Sequence, residues 1–190
     1  FGPDFSYGWG VVDAAAAATF LSNTQFSTPY TTIFEDTYSG TVLFYSLQST
    51  GTEPLKATIV WTDPEGNPQG SGIDVNTSVL VNDLDLWITD PNDIVYYPWT
   101  LDAASPADSA LRNDPNHVDN VEQVLIDVTQ PGTYTIHVGS RSVVLPQDFS
   151  LLVDAQCFIP PAPFGSQELI STNADEGWSV YACDLDGDGD

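Results

Sequence analysis

A pair of aspartates, Asp83 and Asp85, is the first feature of this sequence that could do chemistry. Apolar residues alternate with other residues on either side of the pair, which is typical of a strand with one buried face. Residues two apart on a strand project from the same face, so we expect the two carboxylates side by side. Two like charges there cost energy unless a cation or a basic group neutralises them. With only three Lys and Arg residues in the chain, a bound cation is one interpretation, and two solvated carboxylates are the other.

A second acidic group lies at positions 184–190, where the sequence reads DLDGDGD. Its carboxylates belong to Asp184, Asp186, Asp188 and Asp190. Hard oxygen ligands at every second residue, with glycines that permit tight turns, are typical of the first half of a calcium loop. The pattern predicts calcium binding in a longer protein that supplies further ligands, and the alternative is an acidic disordered tail.

The two histidines of the chain give little support for nucleophilic or acid–base catalysis. His117 lies in a polar stretch, and His137 alternates with apolar residues of a predicted strand, on its wet face. We interpret both as solvated surface residues rather than general bases. The sequence therefore predicts no catalytic residue in this chain.

The charge balance excludes several classes of partner. The chain has 27 acidic and 3 basic residues, for a net charge of −24. Phosphate recognition needs clustered Lys and Arg, so we expect no nucleic acid partner. No apolar run is long enough to span a bilayer. The two cysteines, Cys157 and Cys183, could form a disulfide or remain as two thiols.

One helix and a series of short strands must position these groups. Residues 11–22 (VVDAAAAATFLS) predict a helix that is apolar nearly all round, so we expect it to pack against something larger. Beyond residue 30 the period becomes two, and turn clusters separate the alternating segments. The alternation is clearest around residues 55–61, 84–88, 124–128, 134–138 and 149–153. Such a pattern predicts a mainly β fold, an antiparallel jelly-roll or β-sandwich, with a long polar loop at 100–120 and with Trp61 in its core.

Several blocks of the sequence resemble a protein family in the family's order. Residues 2–15 (GPDFSYGWGVVDAA) are similar to the end of a subtilisin-like (subtilase) catalytic domain, where such a segment leads into the last helix. The blocks LKATIVWTDP, LVNDLDLWITDP, NVEQV, GTYTIHV and QDFSL resemble the P-domain-like β-sandwich that follows the protease domain in some subtilases. The resemblance covers roughly residues 1–155.

The resemblance implies a non-catalytic accessory domain of a secreted serine endopeptidase. The family's nucleophile segment lies upstream of the YGWG signature and does not occur here, so we expect this chain to be an inactive fragment. Its partners would be the missing N-terminal catalytic domain and, through it, a protein or peptide substrate. For the calcium sites of this domain, the resemblance implies further ligands in the 100–120 loop, namely Asp102, Asp114, Asp119 and Asn120.

The C-terminal part resembles a different family. The DxDGDGD run, preceded by GWSVYA, is similar to the start of an FG-GAP or VCBS repeat. We therefore divide the chain into a catalytic-domain remnant at 1–22, a β-sandwich at 23–155, and a Pro-rich linker with the first part of a calcium-binding repeat at 156–190. The alternative from another class is a carbohydrate-binding or adhesive extracellular module. For Trp87, which falls on the polar face of its strand, both a sugar-stacking role and simple packing are open, and we favour packing.

Overall fold

In a computed structural model of the chain, the described residues form one short helix followed by nine strands, which include the alternating segments of the sequence. The structure describes residues 2–25, 31–68, 70, 77–144, 146–155 and 157–158. The chain divides into two compact units, Phe1–Pro160 and Pro161–Asp190, and every described residue belongs to the first. The elements are α1 (Ala14–Gln25), β1 (Thr31–Tyr38), β2 (Leu43–Thr50), β3 (Leu55–Trp61), β4 (Asp83–Thr89), β5 (Val95–Tyr96), β6 (Val121–Ile126), β7 (Pro131–Ser142), β8 (Gln147–Ala155) and β9 (Cys157–Phe158).

The strands build two antiparallel sheets with the order of a jelly roll. One sheet has the order β1-β8-β3-β6 and the other β5-β4-β7-β2-β9. The pairs β1–β8, β2–β7, β3–β6 and β4–β5 are nested, as if one long hairpin had been wrapped into two layers. The predicted mainly β sandwich is confirmed.

The core lies between the two sheets and is filled by the inward-facing set of each alternating strand. Leu55, Ala57 and Ile59 of β3 are completely buried, and Trp61 follows them in the same register, as predicted. The matching residues of β4, β6, β7 and β8 are buried in the same cluster. Period-two patterning therefore fixes which face of each strand is buried, because successive side chains point to opposite sides of a sheet.

Two sequence predictions need correction. Val128 does not continue the buried face of β6 but is 85% exposed. The reason is that β6 ends at Ile126, which pairs with Leu55, the first residue of β3. The residues after Ile126 therefore have no residue of β3 to pair with. The helix is displaced by three residues from the predicted 11–22. It begins after Asp13, whose carboxylate accepts a hydrogen bond from the backbone of Ala16 and caps the first turn.

The apolar segment before the helix is open to solvent in the part of the chain that the structure describes. Val11 and Val12 are 98% and 86% exposed, and most of α1 is exposed as well. Among the described residues, no helix is both long enough and apolar enough to cross a membrane. The expected partner for this helix remains a prediction.

Candidate metal site

Three potential metal ligands meet at the first residues of β4. His117 Nδ1 lies 3.0 Å from Asp83 Oδ2 and 3.5 Å from Asp85 Oδ1. One ligand atom from each of the three residues lies within 4.8 Å of the others. Their side chains are largely shielded, with 12% exposure for Asp83, 14% for Asp85 and 32% for His117. Two carboxylates and one imidazole form a group that could hold a metal ion.

The ligand atoms of this group lack the hydrogen bonds that buried polar atoms normally make. Asp83 Oδ1, Asp85 Oδ1 and His117 Nδ1 are shielded from solvent and have no hydrogen-bond partner among the described residues. His117 Nδ1 is close to Asp83 Oδ2, but the two atoms do not have hydrogen-bond geometry. A buried polar atom left without a partner costs about 1–3 kcal/mol. Three side chains that meet at one place, each with such an atom, favour a shared cation, which would supply the missing interactions.

Electrostatics at the site also favour a cation. Burial raises the pKa of Asp85 to about 6, and the neighbouring carboxylate of Asp83 raises it further, while His117 and Arg141 oppose the rise. The fold thus makes the ionisation of Asp85 beside Asp83 unfavourable, and a bound cation would offset that cost.

A polar network fixes the start of β4. The carboxylate of Asp63 accepts hydrogen bonds from the backbone amides of Val81 and Asn82, at 2.8 Å each. The buried side chain of Asn82 donates to Gln147 and accepts a hydrogen bond from the backbone of Val144. These bonds hold the chain rigidly immediately before the first ligand.

A register shift in the β4–β7 pairing turns Asp83 toward the interior. Asp83 pairs with Ser142, whereas the next residue, Leu84, pairs with Ser140, so β7 carries one extra residue at this point. Asn82, Asp83 and Leu84 are consequently all buried, and the alternation resumes only at Asp85. Bulges of this kind redirect a side chain, and here the bulge accompanies the burial of the first carboxylate.

The loop that carries His117 is shaped by Asn116. Its side-chain oxygen accepts hydrogen bonds from the backbone amides of Val118 and Asp119, and its side-chain nitrogen donates to Asp119 and to the carbonyl of Trp99. This buried amide closes a tight turn around His117.

Glu122 lies beneath the site and is completely buried. Its Oε2 accepts a hydrogen bond from the backbone amide of Leu86 at 2.6 Å, and its Oε1 accepts one from the amide of Asn116 at 3.2 Å. Burial raises the pKa of Glu122 to about 9, and the charges of Asp85 and Asp83 add to the rise, while the two amide hydrogen bonds oppose it. A carboxyl group is thus held in the core between two segments that carry metal ligands.

The loop aspartates predicted as further ligands do not join this group of ligand atoms, although Asp114 and Asp119 line the same cavity as His117. Asp102 caps its own turn by accepting from the amide of Ala104, and Asp114 lines an open cavity of about 980 Å³. Asp119 bonds to Asn116, and Asn120 donates to the carbonyl of Trp61. Among the described residues, none of the three loop aspartates joins the ligand atoms within 4.8 Å. Asp184, Asp186, Asp188 and Asp190, with Cys183, lie outside the described residues.

The two histidines occupy environments that the sequence did not predict. His117 is not a solvated surface residue, because its loop folds back onto β4 and places the ring against two carboxylates. His137 lies on the outer face of its strand as predicted, but it stacks on Trp87 at 4.9 Å and contacts Phe44, and burial lowers its pKa. Trp87 therefore packs against this ring, while Trp99 is buried under the guanidinium of Arg112.

Comparisons with known proteins add little to this geometry. No family model matches the chain, and no curated protein matches it. Among solved structures, the chain is similar to PliG of Aeromonas hydrophila, a periplasmic lysozyme inhibitor of g-type lysozyme. The identity is 14% and the TM-score 0.38, and the match covers 67% of this chain and 88% of that one.

Proposed function

We propose that this chain is a non-catalytic accessory domain of a secreted subtilisin-like endopeptidase, and that it binds calcium at Asp83 and Asp85. The observation that carries the metal part is the convergence of two carboxylates and one imidazole at the start of β4, each with a buried atom that has no hydrogen-bond partner among the described residues. Because a cation bound there would interact only with the folded chain, it would act as a stabilising clamp on the sandwich.

Calcium is favoured by the carboxylates and by the surrounding chemistry. Calcium takes six to eight oxygen ligands and accepts backbone carbonyls and water beside carboxylates, so two aspartates can form the protein part of its shell. The nitrogen of His117 is the departure from this pattern, since imidazole suits zinc and other transition metals. Zinc is the second candidate, because it accepts the nitrogen of His117 together with the two carboxylates.

The accessory role is supported by the resemblance of residues 2–15 and of the sandwich blocks, and by exposed apolar residues. Trp9, Val11 and Val12 present large apolar side chains to solvent ahead of α1, which is itself mostly exposed. Exposed apolar surface of this kind marks an interaction site or an aggregation liability. A catalytic domain in the same polypeptide would cover it.

A cation titration tests the metal part. We expect calcium to raise the thermal unfolding midpoint of the purified chain relative to chelator, and Asp83→Asn to abolish the rise. Asp108→Asn, which removes an exposed carboxylate that is not a predicted ligand, is the control that separates a local site from general screening of the negative charge. A rise with zinc but not with calcium would replace calcium by zinc, and no rise with either cation would refute the metal proposal.

A solubility comparison tests the accessory part separately. We expect residues 26–155 to be more soluble than the whole chain, because the shorter chain lacks the exposed apolar segment. Co-expression with a subtilisin-like catalytic domain should raise the solubility of the whole chain and leave that of residues 26–155 unchanged. Equal solubility of both chains in the absence of a partner would contradict the docking role.

A further inference from the structure

Glu122 connects the two segments that supply the metal ligands, although it belongs to neither. It lies on β6 in the opposite sheet from β4, in the inward-facing register of Val124 and Ile126. Instead of an apolar side chain, this position places a carboxyl group at the end of the core. One oxygen reaches the amide of Leu86 and the other reaches the amide of Asn116.

Each of these two amides stands next to a ligand in the chain. Leu86 follows Asp85, and Asn116 precedes His117. The carboxyl group of Glu122 is therefore a bridge of two hydrogen bonds between β4 and the loop, and it acts one residue away from Asp85 and from His117. A shift of either segment along this bridge would change the distance between the imidazole and the Asp85 carboxylate.

The bridge lies where the sheet itself provides no partner. β5 pairs only with Ile88 and Thr89 of β4, so the edge of β4 at Leu86 is not covered by a strand. A backbone carbonyl of another strand or a neutral side chain could accept a hydrogen bond from the Leu86 amide. Either group would have a lower desolvation cost than a carboxyl group buried in the core. A carboxyl group has two acceptor oxygens, so Glu122 can hold β4 and the loop at the same time.

We propose that Glu122 is a positioning residue of the metal site, which sets the spacing between His117 and the β4 carboxylates through its two backbone hydrogen bonds. This inference rests on the proposed metal binding. It deepens that proposal by assigning the geometry of the site to a residue that need not contact the ion. Groups that orient metal ligands from behind change affinity by about 10- to 100-fold when they are altered.

Glu122→Gln tests the bridge, because glutamine keeps the shape but offers one acceptor oxygen, and its amino group faces the remaining amide. We expect the Kd for the cation that binds the native chain, calcium or zinc, to rise about 10-fold by isothermal titration calorimetry. Val124→Ala is the matched control. It removes buried volume two residues further along the same face of β6 and leaves the bridge intact, so we expect its Kd to stay unchanged although its stability falls.

A second measurement does not depend on a metal. In the metal-free chain, NMR contacts between the His117 ring protons and the β protons of Asp83 and Asp85 report the spacing directly. We expect these contacts to weaken in Glu122→Gln and to persist in Val124→Ala. If Glu122→Gln does not fold, Glu122→Asp keeps both oxygens and shortens their reach by one methylene, and the same two losses are expected.

The outcomes separate the two proposals. An unchanged Kd and unchanged contacts in a folded Glu122 variant overturn the positioning role and leave metal binding standing. A native chain that binds neither calcium nor zinc overturns the metal proposal and, with it, Glu122 as a residue of a metal site. The proton contacts would then decide only whether Glu122 holds the loop to β4.

Discussion

Removing the charge of Asp85 is expected to have opposite effects on stability with and without a bound cation. In the metal-free fold, burial and the Asp83 carboxylate raise the pKa of Asp85 from 3.8 to about 6. One pKa unit corresponds to 1.36 kcal/mol, so the charged carboxylate costs the fold at most about 3 kcal/mol. Because part of the side chain reaches solvent, screening reduces this cost to about 1–2 kcal/mol. Asp85→Asn should therefore stabilise the metal-free chain at pH 8.

The pH dependence follows from the direction of the shift. Between the ordinary pKa of Asp85 and its raised value, the folded state binds more protons than the unfolded state, so stability falls as the pH rises through this window. Below about pH 4 the carboxyl group is protonated in both states, and the native chain and Asp85→Asn should be equally stable. Above about pH 6 the variant should show its full advantage, which for a chain of this size is about 2–8 °C in the unfolding midpoint.

Excess cation should reverse the order. A cation at 100 times its Kd stabilises the native chain by about 2.7 kcal/mol, whereas the variant lacks a ligand and gains little. Differential scanning calorimetry at pH 8, once in chelator and once in calcium, measures the stability of the native chain and of Asp85→Asn under both conditions. Asp108→Asn removes one negative charge from an exposed turn and should change stability by less than about 0.5 kcal/mol in either buffer. If Asp85→Asn is less stable than the native chain in chelator, the carboxylate is not an electrostatic cost, and the reasoning fails.

Three further substitutions probe the scaffold around the site. Arg112→Lys should lower the free energy of unfolding, measured by urea denaturation, by about 1 kcal/mol. Arginine donates hydrogen bonds to β6 and to the loop that follows it while its guanidinium lies 4.5 Å from the centre of the Trp99 ring, and lysine cannot make all these contacts at once. An unchanged urea midpoint would contradict this. Gly51→Ala should lower the free energy of unfolding by about 1–3 kcal/mol, measured by thermal unfolding, since φ of Gly51 is +81° and a Cβ would lie 2.7 Å from a backbone nitrogen. Gly70→Ala is the control and should be neutral, because a Cβ at Gly70 meets open space. Asn82→Ala should cost roughly 2–3 kcal/mol, because its buried partners lose their hydrogen bonds; a loss below 1 kcal/mol would show that they find other partners.

Much of the sandwich can be predicted from the sequence because burial on one face of a strand leaves a period of two. The segments around Leu55, Ile136 and Leu151 show this period clearly, and all three residues are fully buried. The prediction fails at Val128, where the pattern continues in the sequence after the strand has lost its pairing partner. Periodicity reports the preference of a segment, but strand ends depend on the register with a neighbour.

The candidate site was predictable only in its strand half. Asp83 and Asp85 are two residues apart, and local geometry alone brings them together. His117 comes from a separate loop whose path depends on Asn116 and Glu122, so its position is set by long-range hydrogen bonds that leave no periodic trace. The weak signal that was present is the spacing of Asn116 and Asp119, which is typical of a turn closed by a side chain.

The pairing of β1 with β8 has a consequence for how such a domain can be exchanged between proteins. Thr31, the first residue of β1, lies opposite Asp154, near the end of β8. The chain therefore begins the jelly roll on β1 and returns to the same end on the adjacent strand β8, a few residues before β9 pairs with β2. A segment whose two ends lie side by side can be cut out of one polypeptide or inserted into another with little disturbance of the host. Residues 31–158, which include β9, thus have the geometry of a transferable cassette that a gene fusion could insert into another polypeptide.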